Sequence, residues 1–285
     1  MVQLKDYQGG KTAWCPGCGN FSILSAVKKA LVELEISPHE VLIVSGIGQA
    51  AKLPQYMRCN FFNGLHGRTL PVATAAKLAN HDLHVFAVGG DGDGYGEGGN
   101  HLIHTIRRNV GVKYLVHNNQ IYGLTKGQAS PTSDPGFVTK STPKGVLSTP
   151  LNPISFALSL RVSFVARSFA GDVLHLVQMI KEAVHHRGFA LIDILQPCPT
   201  FNHLNTYSWY KERVYKLNEK GDHDVSDMLA AFKKAQEWGE SIPIGVFYKE
   251  ERPALEEQIS AIREMSLVKQ KIEPRQFEKL IQEFI

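Results

Sequence analysis

Two short polar segments of the sequence carry residue types that can hold a metal ion and a phosphate. Gly90-Asp91-Gly92-Asp93 follows one apolar run, and Asn118-Asn119 follows the next. Mg²⁺ takes about six oxygen ligands, usually one or two protein carboxylates together with water and substrate phosphates. Asp91 and Asn119 can supply side-chain oxygens and the backbone carbonyl of Ile121 a third, while the glycines let the main chain approach a phosphate closely.

The spacing of these two segments indicates which phosphate is bound. A GDG that opens a stretch of about thirty residues closing with NN matches the thiamine diphosphate motif. In a parallel sheet both segments would lie at the carboxyl edge, where ligands of doubly wound folds bind. One alternative is a glycine-rich turn, because Asp-Gly pairs form turns readily. A calcium loop is a weaker alternative, since the acidic ladder and terminal Glu of an EF-hand are missing.

Four cysteines form a second candidate site. Cys15 and Cys18 lie in WCPGCGN at 14–20, Cys198 lies in QPCPT at 196–200, and the fourth is Cys59. Four thiolates can hold one tetrahedral zinc ion or one [4Fe-4S] cluster. The Cys-x-x-Cys spacing does not choose between them, and a redox dithiol is a further possibility. A secreted disulfide scaffold is not expected from so few cysteines.

The elements that must position these residues are typical of an α/β fold. Short apolar runs alternate with helix-period segments, which predicts stacked βαβ units and a mostly parallel sheet with helices on both faces. Strands are predicted at 41–45, 84–89 and 112–116, and helices at 20–34, 71–79 and 96–108. A long Gly, Pro, Ser and Thr loop at 118–151 is a candidate for function. The segments at 156–160, 162–166, 173–186 and 189–195 complete a second pair of β and α elements.

The sequence after residue 206 has a different character. Residues 1–206 are predicted to form the catalytic, thiamine diphosphate-binding domain, and the more charged residues 207–285 a peripheral extension. Helices are predicted at 226–238, 253–265 and 274–284, with one strand at 244–248. We expect this extension to pack on the domain or on a partner subunit.

Composition and charge exclude several classes of function. The formal net charge of +4, without a run of basic residues, does not favour nucleic acid as a partner but would suit docking a small acidic protein. The longest apolar runs, such as 41–44 and 85–88, are far shorter than the ~20 residues of a membrane helix. Residues 1–10 have no signal-peptide pattern. The chain is therefore expected to be cytoplasmic, without a membrane or nucleic-acid partner.

Over about residues 7–206 the sequence resembles the thiamine diphosphate-binding β subunits of the 2-oxoacid:ferredoxin oxidoreductases. These enzymes hold thiamine diphosphate beside a [4Fe-4S] cluster. The matching segments are WCPGCGN at 14–20, SGIG at 45–48, LHGR at 65–68, LPVATAAKLAN at 70–80, GGDGDGYGEGGNHL at 89–102, NNQIYGLTKGQASPT at 118–132 and QPCPT at 196–200.

The resemblance implies a role for each matching residue. Its cluster ligands match Cys15, Cys18 and Cys198, and its Mg²⁺ ligands match Asp91, Asn119 and the Ile121 carbonyl. The residues around thiamine diphosphate match Ile47, Gly48, His66, Gly67, Gly92, Asp93 and Thr125. Leu124 matches the bulky side chain that holds the cofactor bent. The candidate catalytic residues are His66 and, near the 2-oxoacid carboxylate, Lys126 and Lys52.

One departure from the family pattern concerns the cluster. Many relatives read GIGC where this chain has Gln49, and Gln is not a usual cluster ligand. Cys59 is the remaining thiol, so we predict that it replaces the third ligand. The alternative is that Cys59 is a small buried hydrophobic residue and that Gln49 or water completes the shell.

The implied activity is oxidative decarboxylation of a 2-oxoacid to acyl-CoA and CO₂, with coenzyme A as co-substrate and electrons passed through the cluster to ferredoxin. A partner α subunit would supply the glutamate that activates the cofactor, in a heterodimer or a dimer of heterodimers. The GIGQAAKLP and HGR segments favour 2-oxoglutarate over pyruvate. Alternatives are a non-redox thiamine diphosphate decarboxylase or synthase and, outside enzymes, a zinc-stapled binding module.

Overall fold

The computed structural model describes residues 1–217, 219, 221, 223–271 and 274–285. Its strands are β1 Val41–Ser45, β2 Asn60–Asn63, β3 His84–Gly90, β4 Val112–Asn118, β5 Ile121–Tyr122, β6 Gln128–Ala129, β7 Phe164–Phe169, β8 Ala190–Leu195, β9 Val214–Lys216 and β10 Ile242–Lys249. Its helices are α1 Asn20–Glu33, α2 Thr69–Ala79, α3 Gly99–Arg108, α4 Pro153–Ser159, α5 Val173–His185, α6 Tyr207–Lys211, α7 Met228–Ala235, α8 Leu255–Gln258 and α9 Pro274–Gln282.

In the described part of the chain, eight strands form one sheet in the order β2-β1-β3-β4-β8-β7-β10-β9. Neighbouring strands are parallel except β7 and β10, which are antiparallel. The strands β5 and β6 form a separate hairpin within the long loop after β4. The predicted α/β class with a mostly parallel sheet is therefore confirmed.

Helices cover both faces of this sheet. On one face, α1 and α5 pack on alternate strand residues such as Ile43 and Ile192. On the other face, α2, α3, α4 and α7 pack on the intervening residues, among them Val85 and Leu191. Because side chains alternate between the faces and both faces are covered, the central strands are apolar throughout most of their length. None of the helices in the described ranges is long and apolar enough to cross a membrane.

The strand register brings the polar segments of the sequence to one edge. Gly90 pairs with His117, and Asn118 pairs with Leu195. The strands β3, β4 and β8 therefore end at nearly the same level. Residues 91–93, 119–121 and 196–198, which follow these strands, meet at the carboxyl edge of the sheet, as predicted for a ligand site.

Several predicted elements are confirmed and others differ. The strand at 41–45 coincides with β1, and the strand at 244–248 lies within β10. The extension is only partly peripheral, because β9 and β10 continue the main sheet. The predicted helix at 253–265 is wrong, since α8 ends at Gln258. Its Glu256 side chain is buried and accepts a hydrogen bond from the backbone N-H of Gly111, a long-range contact that no local pattern encodes.

Asn109 fastens the extension to the sheet. It ends α3 in the left-handed region, with φ +51°. Its side-chain oxygen accepts hydrogen bonds from Ser163 Oγ at 2.6 Å and Phe189 N at 3.0 Å. Its amide nitrogen donates to the carbonyls of Arg252 at 3.3 Å and Pro253 at 3.0 Å. One buried side chain therefore joins β8, the start of β7 and the extension.

We predict that Asn109→Gly and Asn109→Ala both lower the free energy of unfolding, and that Ala is worse than Gly by about 1–2 kcal/mol. Both variants lose the four hydrogen bonds, but only the Ala variant has a β-carbon that is strained in the left-handed region. Denaturant unfolding measures the difference. Asn80, which ends α2 at φ −141°, is the matched control, because Gly should have no advantage there. An equal cost of Gly and Ala at position 109 would contradict the prediction.

Candidate active site

A cleft at the carboxyl edge collects most of the predicted site residues. Ten of them line it: Ile47, Gly48, His66, Asp91, Gly92, Asp93, Asn119, Ile121, Leu124 and Thr125. The lining also contains Gly90 of the GDG segment and Gln49, together with three residues that the sequence did not single out: Ala50, Tyr122 and Gly123. The cavity volume is about 90 Å³, whereas pockets for drug-sized ligands hold about 300–1,000 Å³. The cleft in this chain is therefore smaller than such a pocket.

Asp91 is a buried carboxylate at the floor of the cleft. Its Oδ2 accepts hydrogen bonds from Ser130 Oγ at 2.5 Å and Thr132 Oγ1 at 2.7 Å. Burial raises the pKa of Asp91 to about 6, and the two hydroxyls offset part of that rise. A buried carboxylate is costly unless its charge is compensated. Both hydroxyls therefore contact the same carboxylate oxygen, Oδ2.

The segment after β4 brings more oxygen donors beside Asp91. Asn119 Oδ1 accepts a hydrogen bond from Ile121 N at 3.1 Å, and Asn119 Nδ2 donates to Gln196 Oε1 at 3.0 Å. These contacts fix the orientation of the Asn119 amide. A carboxylate, an amide oxygen and main-chain carbonyls are the donors that Mg²⁺ prefers. The residues present therefore fit a magnesium diphosphate.

Asp93 has a different environment from Asp91. Its carboxylate is 2.8 Å from His66 Nδ1 and accepts from Ile47 N and Gly67 N, both at 2.9 Å. Thr69 Oγ1 also donates to it, at 3.1 Å. Gly67, which was predicted to contact the cofactor, thus lies beside Asp93 and is absent from the lining. Asp93 holds the loops that carry Ile47 and His66 at the end of β3.

Gly92 lies directly against an aromatic side chain that the sequence analysis did not single out. A β-carbon added to Gly92 would be 2.1 Å from Cε1 of Tyr122. The Tyr122 hydroxyl donates to the Gly92 carbonyl at 3.4 Å. The signal that could have identified Tyr122 is its place two residues after the NNQ segment. The glycine is required here because the hairpin that contains Tyr122 packs on the GDG turn.

The two predicted catalytic lysines lie outside the cleft lining. Lys126 is exposed at the turn of the β5–β6 hairpin, with a left-handed φ of +76°. Lys52 lies in a short 3-10 helix, Ala50–Tyr56, and is half-buried. The structure thus brings neither ammonium group into the lining. Lys126 follows Leu124 and Thr125 at the rim.

Three of the four cysteines converge. Gly19 N donates to the carbonyl of Pro197 at 3.1 Å, which joins the loop of Cys15 and Cys18 to the loop of Cys198. Burial raises the pKa of Cys18 to about 11, and the nearby Cys198 and Cys15 thiols raise it further. Within the described residues, no three His, Cys, Asp or Glu side chains form a metal shell. The three thiols therefore approach one another without closing around a common centre.

Cys59 lies elsewhere. It directly precedes β2, whose first residue Asn60 pairs with Leu42 near the start of β1. Burial raises the pKa of Cys59 to about 12, which the Lys28 ammonium partly opposes. Cys59 is therefore at the amino edge of the sheet, beside the core.

The structure contradicts the prediction that Cys59 completes the cysteine site. Cys198 follows the last residue of β8, at the opposite edge. The strand registers separate the two levels by roughly 20 Å at ~3.3 Å per residue. The reason is that the 3-10 helix Ala50–Tyr56 carries the chain back from the carboxyl edge to the amino edge.

Gln196 connects the cysteine loops to the oxygen-rich cleft. It is buried, and its Oε1 accepts from Asn119 while its Nε2 lies 3.6 Å from Cys18 Sγ. A β-carbon on Gly123 would lie 3.8 Å from Cys198 Sγ. The two candidate sites are thus adjacent and share one side chain. No sequence pattern pointed to Gln196 itself, although it directly precedes the Pro-Cys-Pro motif.

The fold and the site define a thiamine pyrophosphate enzyme. Residues 44–194 match the family "Thiamine pyrophosphate enzyme, C-terminal TPP binding domain", and residues 198–264 match the C-terminal family of the pyruvate ferredoxin oxidoreductase beta subunit. The 2-oxoacid:ferredoxin oxidoreductase subunit beta of Saccharolobus solfataricus is 47% identical over 264 residues, which cover 89% of this chain and 87% of that one. The chain belongs to the β subunits of the 2-oxoacid:ferredoxin oxidoreductases.

Two further relatives carry 2-oxoglutarate in their names. The 2-oxoglutarate synthase subunit KorB of Methanocaldococcus jannaschii is 34% identical, covering 88% of this chain and 92% of that one. A solved structure of 2-oxoglutarate:ferredoxin oxidoreductase from Magnetococcus marinus, with 2-oxoglutarate, coenzyme A and succinyl-CoA bound, has a TM-score of 0.91 and 39% identity. It covers 98% of this chain and 96% of that chain.

We predict that Gly92→Ala destabilises the protein by about 1–3 kcal/mol, because its β-carbon forces the Tyr122 ring out of place. Gly99→Ala is the matched control. It lies in α3, its β-carbon would meet nothing within 4 Å, and Ala should stabilise the helix by up to about 1 kcal/mol. Thermal and denaturant unfolding compare the two variants. Equal stabilities would show that the GDG turn tolerates a side chain.

Proposed function

We propose that this chain binds thiamine diphosphate and Mg²⁺ and, with an α subunit, oxidises 2-oxoglutarate. The balanced reaction consumes 2-oxoglutarate, coenzyme A and two oxidised ferredoxins. It yields succinyl-CoA, CO₂, one proton and two ferredoxins that have each gained one electron. The observation that carries the proposal is the adjacency of the oxygen-donor cleft at Asp91 to the three converging cysteines.

In this proposal Asp91, Asn119 and the Ile121 carbonyl would hold Mg²⁺ together with the diphosphate. When bound, thiamine diphosphate supplies the nucleophilic carbon and the electron sink that decarboxylation requires. The chain's own part is positioning. Tyr122 packs on the GDG turn, Leu124 and Ile47 provide apolar wall, and His66 is held by Asp93.

The cysteines support a redox role. We assign Cys15, Cys18 and Cys198 as ligands of a [4Fe-4S] cluster that passes electrons singly to ferredoxin. A non-redox thiamine enzyme would have no use for thiols packed against the cofactor cleft. Cys59 lies at the other edge of the sheet, so such a cluster would need one ligand other than a cysteine of this chain.

A partner subunit is proposed from the incomplete cleft. A cavity of about 90 Å³ leaves most of a bound cofactor outside this chain. The apolar side chains of Phe62, Leu65 and Leu124 are each more than 40% exposed; Leu124 lines the cleft and Leu65 directly precedes His66, which also lines it. Exposed apolar surface of this kind is typical of protein interfaces. The relatives' designation as subunit β supports the same conclusion.

The substrate is proposed from the relatives whose names contain 2-oxoglutarate. Lys126, exposed at the rim directly after Leu124 and Thr125, has the charge to pair with a substrate carboxylate. The enzyme should be tested anaerobically with its α subunit, measuring ferredoxin reduction with 2-oxoglutarate and with pyruvate. Faster reduction with pyruvate would reject this assignment while keeping the family.

We predict that Asp91→Ala purifies without thiamine diphosphate, because the charge that balances Mg²⁺ is lost. The loss of affinity should exceed the ~10–100-fold that changes to outer-shell residues cost. Cofactor content of the purified protein is the measurement, and iron content should stay at the wild-type value. The control is Asp82→Ala, a carboxylate paired with Lys269 on the surface. A full complement of cofactor in Asp91→Ala would refute the assignment.

We also predict that Cys198→Ser and Cys18→Ser lower the iron content of anaerobically purified protein, whereas Cys59→Ser leaves it unchanged. The reason is the position of Cys59 at the opposite edge of the sheet. Iron analysis and electron paramagnetic resonance make the comparison. Loss of iron from Cys59→Ser alone would contradict the assignment of Cys15, Cys18 and Cys198, without Cys59, as the cluster ligands. Zinc in place of iron would favour the binding-module alternative.

A further inference from the structure

A chain of buried hydrogen bonds begins at Asn118, next to the proposed magnesium ligand. Asn118 Nδ2 donates to Asp193 Oδ1 at 3.0 Å. Thr132 Oγ1 lies 2.8 Å from Asn118 Oδ1 and 2.7 Å from Asp91 Oδ2. Its single proton can serve one acceptor at a time, so the hydroxyl is held between the two. The side chain of Asn118 is thereby connected to the carboxylate of Asp91.

The far end of this chain is anchored in the sheet. Asp193 accepts from Tyr95 Oη at 3.0 Å through Oδ1 and from Arg167 Nε at 3.2 Å through Oδ2. Arg167 is 1% exposed and lies between the rings of Trp238 and Phe247, at 5.5 and 5.4 Å from their centroids. Since β8 and β7 are neighbouring central strands, this ion pair is a fixed point.

The intermediate residues border a cavity as well as protein atoms. This cavity, of about 210 Å³, is lined by Asn118, Thr132, Asp193 and Arg167 among others. A side chain next to open space lacks some of the van der Waals contacts that would otherwise define its position. The hydrogen bonds from Asp193 to Thr132 therefore contribute to setting where the Thr132 hydroxyl lies.

We propose that Asn118, anchored on the Arg167–Asp193 pair, is a positioning residue that orients the carboxylate of Asp91 through the Thr132 hydroxyl. This inference rests on the proposed function, in which Asp91 binds the magnesium diphosphate. Outer-shell partners fix the rotation of a ligating carboxylate, and their loss typically costs 10–100-fold in metal affinity. Asn118 does not contact the metal in this arrangement, although it precedes Asn119.

The test is a calorimetric titration with Mg²⁺, at a fixed concentration of thiamine diphosphate, of the full-length chain in complex with its α subunit. Thr132→Val should weaken Mg²⁺ binding about 10–100-fold, and Thr132→Ser, which keeps the hydroxyl, should restore most of it. Thr105→Val is the matched control, because Thr105 is a buried threonine in α3 whose hydroxyl donates to His101 O. It should bind Mg²⁺ as the wild type does, even if its unfolding midpoint falls.

Asn118→Ala tests the longer path in a double-mutant cycle with Thr132→Val. If both act along one chain, the double variant loses no more affinity than the more impaired single variant, whereas losses that multiply would overturn the proposal. Asn118→Ser, which cannot reach both neighbours, replaces Asn118→Ala if the latter does not fold. If the wild type binds Mg²⁺ and Thr132→Val binds it with the same affinity, the inference is also overturned. Failure of the wild type to bind Mg²⁺ and thiamine diphosphate would instead reject the proposed function.

Discussion

The buried carboxylate of Asp93 is the interaction on which the geometry of the site depends. Backbone N-H groups of Ile47 and Gly67 and the side chains of His66 and Thr69 all contact it within 3.1 Å. These groups come from the loop after β1 and from the start of α2, which are far apart in the sequence. A buried charge must be satisfied by hydrogen bonds, so the folded chain has to bring the loops to this point. The Asp93 carboxylate thereby positions Ile47 and His66, which form part of the cleft wall.

The two aspartates of GDGD therefore have different functions, although they are two residues apart. Asp93 has contacts from four groups and fastens loops. Asp91 accepts hydrogen bonds from the hydroxyls of Ser130 and Thr132 at a single oxygen, and its pKa is raised by burial. Asp91 lines the cleft together with Asn119 and Ile121, which supports its proposed role as the cation ligand. The sequence motif does not distinguish the two aspartates, and their different roles follow from their different hydrogen-bond partners.

Local sequence patterns predicted the positions of residues that follow strand ends. They failed for residues whose positions depend on long-range contacts. The apolar runs before Gly90 and Asn118 sufficed to bring these segments to one edge, because parallel strands share their direction. Cys59 was misplaced because no local signal states that the 3-10 helix before it reverses direction, or that the exposed strand β2 follows. Asp193 was not predicted as a functional residue, because it lies within an apolar strand segment. Its ion-pair partner, Arg167, is on another strand and cannot be identified from local sequence. The helix predicted at 253–265 failed for the same reason, since Glu256 bonds to Gly111.

Gln196 contacts both the oxygen donors of the cleft and the thiols of the cysteine loops. Its amide oxygen orients Asn119, and its amide nitrogen lies near Cys18 Sγ. A hydrogen bond to a cluster sulfur influences its reduction potential, and the orientation of a ligating amide influences the metal it holds. If the proposed cofactors bind as assigned, a displacement of the Gln196 amide changes both contacts together, because the amide is one rigid plane. In that case the position of one buried side chain would link the proposed magnesium site to the proposed cluster ligands.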